Sequence, residues 1–368
     1  MKAEAPIAQL TAAAYHIPTE TPEADGTFEW DATTLVVVHV QAAGKTGLGY
    51  TYNAGATAEL IRTVLAPVLM HADAFDIPSA HRAMQRSVRN IGRSGVAATA
   101  IAAIDVALWD LKAKLLDLPL ATLLGVVRRQ VPVYGSGGFT NYDESRLLSQ
   151  LASWVEDEGC RWVKMKVGQH PVEDPMRIQA ARTALGRVPL FVDANGAFEP
   201  GDAIRFATAC RSNGVTWLEE PVSSDDLKGL RHVRQRIPRG IEVAAGEYSY
   251  SLDDVERMLE SGAVDVQQVD ATRCLGVTGF LAAGSLCEAH HTDLSGHCAP
   301  SLHLHAACAV PRLRHLEYFF DHVRIEQMLF DGAARARDGL LEPDWARPGI
   351  GLELKEADAR QYLMAVSS

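Results

Sequence analysis

Long uncharged apolar runs are missing from this chain of 368 residues. A membrane-spanning helix needs about 18 or more apolar residues, and the most apolar stretch, residues 95–109, already contains Asp105. The N-terminus, MKAEAPIAQL, lacks the apolar core of a signal peptide. We therefore expect a soluble, cytoplasmic protein with no membrane partner.

Basic residues are also in short supply, with 35 Lys and Arg against 46 Asp and Glu and a formal net charge of −11. Because nucleic acid is bound by a surplus of basic side chains on one face, this balance argues against a nucleic-acid partner. The six cysteines include no C-x-x-C pair, which favours reduced intracellular thiols over a disulfide framework or a zinc site. One of them, Cys298, follows a histidine, and we interpret it as a small packed residue rather than a nucleophile.

The first part of the chain, residues 1–125, has strand patterns followed by helix patterns. Residues 34–42 are rich in β-branched side chains, and the glycines after them predict a hairpin into a second strand. Over residues 97–116 apolar side chains recur every three or four positions, which predicts a helix. Strands followed by helices indicate an α+β domain.

Residues 126–340 alternate short apolar strands with helices. Eight strands are predicted, at 131–134, 162–167, 190–193, 217–220, 242–245, 264–270, 293–297 and 315–319. This α/β pattern predicts a (β/α)8 barrel, similar to a TIM barrel, whose active site lies at the C-terminal ends of the strands. A doubly wound sheet is the competing fold, but no G-x-G-x-x-G or Walker sequence follows the first strand. Residues 341–368 should pack back toward the first domain.

Ionisable side chains end seven consecutive predicted barrel strands. In chain order they are Lys164 and Lys166, Asp193, Glu219 and Glu220, Glu247, Asp270, His297 and Glu317. An unpaired charge in a packed barrel is costly, so these groups should face one another around a polar site. Chance helix caps would explain one or two of them, not all seven.

Three of these carboxylates, on Asp193, Glu219 and Glu247, occur one strand–helix unit apart and should converge. They repel one another unless a cation neutralises them, and an oxygen-only ligand set selects a hard ion such as Mg2+, with Mn2+ as a substitute. Glu220 should point to the opposite face of its strand from Glu219, so we rank it second as a ligand.

The remaining strand-end groups suit proton transfer. Lys164 and Lys166 share one strand face, and two close ammonium groups near a divalent ion should lower each other's pKa, leaving one as a neutral base. Asp270 can orient His297 and raise its basicity. Glu317, if protonated, could donate a hydrogen bond to a developing oxyanion.

These residues resemble those of the enolase superfamily, in particular its mandelate racemase subgroup. The resemblance covers nearly the whole chain and includes AAIDVALWDLKAKLLDLPLATLLG (102–125), VKMKVG, FVDANGAF, WLEEP, AAGEY, VDATRCLGVTGF and SGHCAP. It implies that residues 1–125 form a capping domain, completed by the C-terminal tail, and that the protein is a homo-oligomer. The muconate-lactonizing subgroup places a Lys where Asp270 stands, which argues against that branch. Arg273 stands where mandelate racemase itself has Lys.

The resemblance also implies a role for each strand-end group. The Mg2+ ligands would be Asp193, Glu219 and Glu247. Lys166 would be the base on one face of a small-molecule carboxylate substrate, and the His297–Asp270 dyad the acid/base on the other. Lys164 would contact the substrate carboxylate, and Glu317 would be its electrophilic hydrogen-bond donor.

The implied chemistry is Mg2+-dependent removal of the proton α to a carboxylate through a stabilised enediolate. An acid-sugar dehydratase acting on aldonates or aldarates and a racemase or epimerase of α-hydroxy or α-amino acids both remain open. A catalytically inactive binding or structural barrel is a third alternative. Its mark would be a missing ligand or base, and none is missing.

The capping-domain segments 15–23 and 49–53 are expected to be loops that select the substrate, and both are rich in hydroxyl and charged groups. The expected substrate contacts are Glu20, Tyr50 and Tyr52, together with Lys164, Asn195 and Glu317 from the barrel. A polar lining suits a polyhydroxylated acid better than an aromatic acid such as mandelate. The sequence therefore favours the dehydratase.

Overall fold

The computed structural model describes residues 4–365. Its N-terminal part contains an antiparallel sheet. Its strands are β1 (Ile7–Ala24), β2 (Glu29–Ala42) and β3 (Lys45–Tyr52). Ala42 pairs with Lys45, and the two residues between them, Ala43 and Gly44, have φ of 47° and 76°. Positive φ at both central residues is what a tight type I′ hairpin requires. The predicted hairpin is confirmed.

Helices cover this sheet. They are α1 (Gly55–Leu60), a π-helical segment (Ile61–Leu65), α2 (Ala66–Leu69), α3 (Ile77–Ser87), α4 (Val96–Leu115) and α5 (Leu120–Leu124). The predicted helix at 97–116 is α4, whose small side chains let it lie against β3. A Cβ at Gly49 would come within 2.1 Å of the Ala103 carbonyl oxygen, so this crossing requires glycine.

Eight parallel strands form a closed barrel. They are β4 (Val131–Gly137), β5 (Val163–Lys166), β6 (Leu190–Asp193), β7 (Val215–Glu219), β8 (Glu242–Ala245), β9 (Val266–Val269), β10 (Asp293–Gly296) and β11 (Leu313–Phe319). Each strand pairs with the next, and β11 pairs with β4 to close the ring. Each observed strand overlaps a predicted one, and the predicted (β/α)8 barrel is confirmed.

Helices separate these strands along the chain. They are α6 (Glu144–Glu156), α7 (Asp174–Leu185), α8 (Pro200–Cys210), α9 (Leu227–Arg234), α10 (Leu252–Ser261), α11 (Gly276–Ala289), α12 (Pro300–Ala307) and α13 (Phe320–Leu329), with a 3-10 turn at Arg211–Asn213. Inside the barrel, Tyr134, Phe191 and Trp217 form an apolar cluster with Ala244 and Val266. This cluster fills the barrel below the strand ends. No helix within residues 4–365 is both long and apolar enough to cross a membrane.

The C-terminal tail contacts both parts of the molecule. Strand β12 (Phe330–Asp331) pairs with β14 (Glu353–Leu354), whereas β13 (Leu340–Leu341) pairs antiparallel with barrel strand β4. Beyond α14 (Glu356–Ala359) and a 3-10 turn (Arg360–Tyr362), the Met364 N–H donates to the Ala14 carbonyl at 2.9 Å. The tail therefore joins the barrel to the first sheet.

Asp110, on α4, fixes the tail against that sheet. Its fully buried carboxylate accepts hydrogen bonds from the N–H groups of Leu48 and Ile350, each at 2.7 Å, and pairs with Lys114 at 2.7 Å. Removing this carboxylate would leave two buried donors without acceptors.

We expect Asp110→Ala to lower the free energy of unfolding by about 3 kcal/mol, because two donors lose their acceptor and a partly buried ion pair is broken. Chemical denaturation would measure the change. Glu260→Ala, an exposed position on α10, is the control and should change stability by less than about 0.5 kcal/mol. Equal stability of the two variants would contradict the role given to Asp110.

Candidate active site

All of the predicted strand-end groups are buried at one end of the barrel. Each of these residues is at most 6% exposed. They are Lys164, Lys166, Asp193, Glu219, Glu220, Glu247, Asp270, His297 and Glu317. Side chains that alternate along a strand put every second residue inside the ring. Asp193 and Glu219 therefore follow Phe191 and Trp217 on the interior face, one layer above the aromatic cluster.

Lys164 lies at the centre of this layer. Its Nζ pairs with Glu219, lies 2.8 Å from Glu317 Oε1 and 3.3 Å from Asp193 Oδ2. Burial lowers the pKa of Lys164, but the surrounding carboxylates raise it well above its ordinary value. Lys164 is therefore a buried ammonium that holds three carboxylates together.

Glu317 is ionised in this arrangement. Burial raises its pKa, but Lys164 and His297 bring it well below its ordinary value. Its carboxylate accepts hydrogen bonds from Ser136 Oγ at 2.6 Å and from the Cys298 N–H at 3.0 Å. In this arrangement the lysine beside it stabilises the anion. A protonated, hydrogen-bond-donating Glu317 stays a prediction.

Lys166 is also protonated here. Its Nζ donates to Asp193 Oδ2 at 2.6 Å. Burial and Lys164 lower the pKa of Lys166, but Asp193 and its neighbouring carboxylates raise it above its ordinary value. Burial raises the pKa of Asp193, and the two lysines bring it to about 2. In this arrangement the carboxylates outweigh the second ammonium. The lower lysine pKa expected beside a divalent ion stays a prediction.

The predicted His297–Asp270 pair is assembled. Burial raises the pKa of Asp270, but its hydrogen bond to His297 helps bring the pKa well below its ordinary value. The ionised carboxylate accepts from His297 Nδ1 at 2.8 Å, which leaves Nε2 facing the site, 3.3 Å from Glu247 Oε2. Burial lowers the pKa of His297, but Glu247 and Glu317 raise it overall. This imidazole is suited to carry a proton near neutral pH.

Glu220 lies inside the site, contrary to the prediction that it points away. Its φ of 37° places the backbone in the left-handed region, so strand alternation does not extend to it. Burial raises its pKa well above its ordinary value, and the carboxylates of Glu247 and Asp193 raise it further. Strand periodicity could not reveal this turn.

The carboxylate cluster fits an oxygen-ligated cation. Glu220 Oε1 and Glu247 Oε2 are buried and receive no hydrogen bond from the described residues. Buried oxygens without donors are unfavourable unless a cation or water supplies positive charge. The site also has more acidic than basic groups: Asp193, Glu219, Glu220, Glu247, Asp270 and Glu317 against Lys164, Lys166 and Arg273. A hard divalent ion such as Mg2+ would supply positive charge to the unpaired oxygens and would offset the excess of acidic groups.

The predicted substrate loops are mostly strands. Residues 15–23 belong to β1, and residues 49–52 belong to β3, and both strands pair antiparallel with β2. The register of β1 is irregular between Pro18 and Glu23. Tyr50 is fully buried and donates to Glu326 Oε1 at 2.6 Å, so its predicted substrate contact is wrong. Glu20 is exposed, and no described contact joins it to the strand-end groups. Asn195 lies beside the cluster, where its N–H donates to Asp193 Oδ1 at 2.9 Å.

The Tyr52 side chain extends from β3 to barrel residues that border the site. Its ring stacks on the His322 ring, with 3.6 Å between centroids, and its buried hydroxyl has no hydrogen-bond partner within residues 4–365. The carboxylates of Glu326, Asp321 and Asp270 and the Cys298 thiol add to burial in raising the pKa of Tyr52 well above its ordinary value. An unpaired hydroxyl in this position is available to a ligand.

Sequence reasoning missed two groups at this site, His322 and Ser136, and assigned no role to Arg273. His322 accepts the Ala299 N–H at Nδ1, 3.3 Å away, so its neutral ring carries the proton on Nε2. Burial and His297 lower its pKa to about 3. Ser136 supplies the eighth strand end, and Arg273 pairs with Glu247 at 3.1 Å. The sequence feature that could have identified His322 is its position, five residues after Glu317.

Comparisons with known proteins identify the family. Residues 13–125 match the family "Mandelate racemase / muconate lactonizing enzyme, N-terminal domain", and residues 146–358 match "Enolase C-terminal domain-like". The chain belongs to the enolase superfamily. The resemblance drawn from the motifs is thereby confirmed.

Three relatives illustrate the similarity. L-talarate/galactarate dehydratase of Salmonella typhimurium is 34% identical over 335 residues, 89% of this chain and 82% of the relative. A mandelate racemase/muconate lactonizing enzyme-like protein from Rubrobacter xylanophilus has a TM-score of 0.95 and 48% identity, covering 98% of this chain and 100% of that one. A racemase from Streptomyces coelicolor with bound magnesium has a TM-score of 0.91 and 31% identity, covering 97% and 100%. The prediction of an enzyme is confirmed.

The carboxylate cluster, with the ligand set that the family resemblance implies, leads to a prediction about cation binding. A crystal grown with Mg2+ should show the ion about 2.0–2.1 Å from Asp193, Glu219 and Glu247. Calorimetric titration should show Mg2+ binding at least about tenfold weaker in Glu219→Gln, with Glu326→Gln, a buried carboxylate outside the cluster, as the control. An ion bound by Glu220 in place of Glu219 would overturn the assignment.

Proposed function

We propose that this protein is an acid-sugar dehydratase, acting on an aldonate or aldarate with Mg2+ as its cofactor. The observation that carries the proposal is the placement of two proton-transfer groups around one carboxylate cluster. Lys166 comes from β5 and His297 follows β10, three strands apart in the ring. The similarity to a talarate/galactarate dehydratase and to a racemase with bound magnesium supports the proposal.

The residues divide the reaction between them. When bound, Mg2+ supplies positive charge that stabilises the developing anion of the substrate carboxylate. Lys164, already held among carboxylates, would contact that carboxylate. Lys166 would take the α-proton once Asp193 no longer stabilises its ammonium. The imidazolium of His297, oriented by Asp270, would protonate the departing β-hydroxyl, and the resulting enol would tautomerise to a 2-keto-3-deoxy acid.

The upper wall of the site, formed by Tyr52, His322 and Asn195, favours a polyhydroxylated substrate. The Tyr52 hydroxyl and the Asn195 side-chain oxygen are buried without partners in the described structure, and His322 presents an N–H donor. Such groups gain hydrogen bonds from substrate hydroxyls, whereas an aromatic substrate would leave them unpaired. We propose Tyr52, His322 and Asn195 as contacts to the distal hydroxyls. Glu20 stays a prediction.

A racemase or epimerase is the second candidate. The same two groups could remove the α-proton from one face and return one to the other, since Lys166 and His297 both border the carboxylate cluster. An inactive barrel would lack a ligand or a base. The described site retains all of those predicted from the sequence.

We further propose that the enzyme works as a cytoplasmic homo-oligomer. Helix α3 and the loop after it present exposed arginines on a chain whose net charge is −11: Arg82, Arg86, Arg89 and Arg93. A basic face on an acidic protein can pair with an acidic face of a second copy. All six cysteines are free and buried, as in a reducing compartment.

The dehydratase proposal predicts a 2-keto-3-deoxy product from at least one aldonate or aldarate. Semicarbazide detection across an acid-sugar library, with Mg2+ present, would measure it, and EDTA should abolish the reaction. If α-hydroxy or α-amino acids exchange the α-proton and change configuration while no β-hydroxy acid gives keto product, the racemase takes its place.

His297→Asn should reduce keto product by about 100-fold or more, because it removes the proton donor to the leaving hydroxyl. Exchange of the α-proton in D2O through Lys166 should remain measurable by NMR. His232→Asn, an exposed position on α9, is the control and should retain activity. Full product formation by His297→Asn would remove His297 from the mechanism.

Tyr52→Phe keeps the stacked ring and removes only the hydroxyl. We expect KM for the best polyhydroxylated substrate to rise about three- to tenfold with kcat little changed, since one hydrogen bond is lost. Tyr362→Phe is the matched control, because its hydroxyl lies 3.6 Å from Met328 Sδ in the tail region. Unchanged KM in Tyr52→Phe would exclude the contact.

A further inference from the structure

Three different ligand types meet at the His297 side of the site. His297 Nε2 lies 3.3 Å from Cys298 Sγ and 3.7 Å from Glu317 Oε2, and Cys298 Sγ lies 3.4 Å from the same carboxylate oxygen. All three residues are buried. Within residues 4–365 this is the one trio of His, Cys, Asp or Glu side chains whose ligand atoms all lie within 4.8 Å of one another.

These separations, 3.3, 3.4 and 3.7 Å, are close to those on one face of a tetrahedral zinc site. Zinc bonds of about 2.0–2.1 Å to nitrogen, 2.3 Å to sulfur and 2.0–2.2 Å to oxygen place neighbouring ligand atoms about 3.3–3.6 Å apart. The backbone explains how adjacent residues achieve this, because Cys298 has a φ of 51° that turns its thiol back beside the His297 ring. Glu247 Oε2, 3.3 Å from His297 Nε2 and without a hydrogen bond, borders the trio.

We propose that His297, Cys298 and Glu317 bind a thiophilic divalent cation of the zinc class, and that this cation inhibits the enzyme reversibly. The nitrogen, sulfur and oxygen set differs from the all-oxygen cluster that suits Mg2+. The cation would occupy the Nε2 lone pair, so His297 could no longer carry a proton. The inhibition rests on the role of His297 in the proposed function, whereas the binding does not.

Binding is coupled to proton release. Burial and the carboxylates of Glu317 and Asp270 raise the pKa of the Cys298 thiol well above its ordinary value, so the sulfur is protonated before the cation arrives. Coordination forms a metal–sulfur bond and a metal–nitrogen bond, and it releases to solvent the thiol proton and the Nε2 proton of the His297 imidazolium. No oxidant or reductant is needed.

Cobalt(II) tests binding without substrate. Added to the full-length protein at saturating Mg2+, Co2+ should give a near-ultraviolet thiolate-to-metal charge-transfer band that saturates at one equivalent. Cys298→Ala and Cys298→Ser should lose the band. Cys308→Ala, which removes another buried cysteine, should keep it. Absence of the band in the wild type, or its survival in both Cys298 variants, would overturn the site.

Zinc inhibition tests the consequence. At saturating Mg2+, Zn2+ should inhibit the wild type and Cys308→Ala at concentrations at least tenfold below those needed for Cys298→Ala. Equal inhibition of all three, relieved by more Mg2+, would mean that zinc displaces Mg2+ from its own ligands and would overturn the inhibition. A cobalt band without zinc inhibition would overturn it too. Failure of the dehydratase proposal leaves the cobalt result unaffected, and exchange of the α-proton then replaces the product assay.

Discussion

The buried ammonium of Lys164 is the interaction on which the site depends. Three carboxylates, on Asp193, Glu219 and Glu317, lie against it in a region closed to solvent. Without this cation, the layer would contain uncompensated buried charge, at a cost of several kcal/mol, and only Asp193 would keep a lysine partner, Lys166. Below it, the Tyr134 ring lies 5.4 Å from Nζ and begins the apolar filling of the barrel. Lys164 thus lies between the apolar side chains that fill the barrel and the layer of acidic strand-end groups.

The acidic layer remains undercompensated, and this imbalance gives the site its chemistry. Lys164 and Lys166 stabilise Asp193 and Glu219, but Glu220 and Glu247 keep oxygens without donors. A divalent ion would satisfy them and compete with Lys166 for Asp193. Cation binding and activation of a lysine base are therefore two consequences of one charge balance, which explains why either a dehydratase or a racemase can use the same residues.

Sequence periodicity predicted the barrel and most of the site, because both follow from repetition. A polar group at each strand end must enter the ring wherever strand geometry continues, as at Asp193, Glu219 and His297. The prediction failed where that geometry stops, since the left-handed turn at Glu220 leaves no mark on the periodicity. Periodicity does not give the pKa of Lys166 either, because that pKa depends on distances to several carboxylates rather than on one neighbouring lysine. Residues 15–23 and 49–52 were predicted as loops but belong to strands, which shows that segments rich in polar residues can also form long antiparallel strands.

The proposed substrate contacts lie where the two parts of the molecule meet. The barrel alone supplies every group proposed for proton transfer, but its upper wall includes a ring from the first sheet, Tyr52, stacked on His322 of α13. The next tyrosine along that strand, Tyr50, is held by Glu326 of the same helix. One strand is thus anchored by a packed tyrosine and presents the other to the site. The residues proposed to contact the distal part of the substrate, Tyr52 and His322, are thus separate from Lys164, on which the charge balance depends.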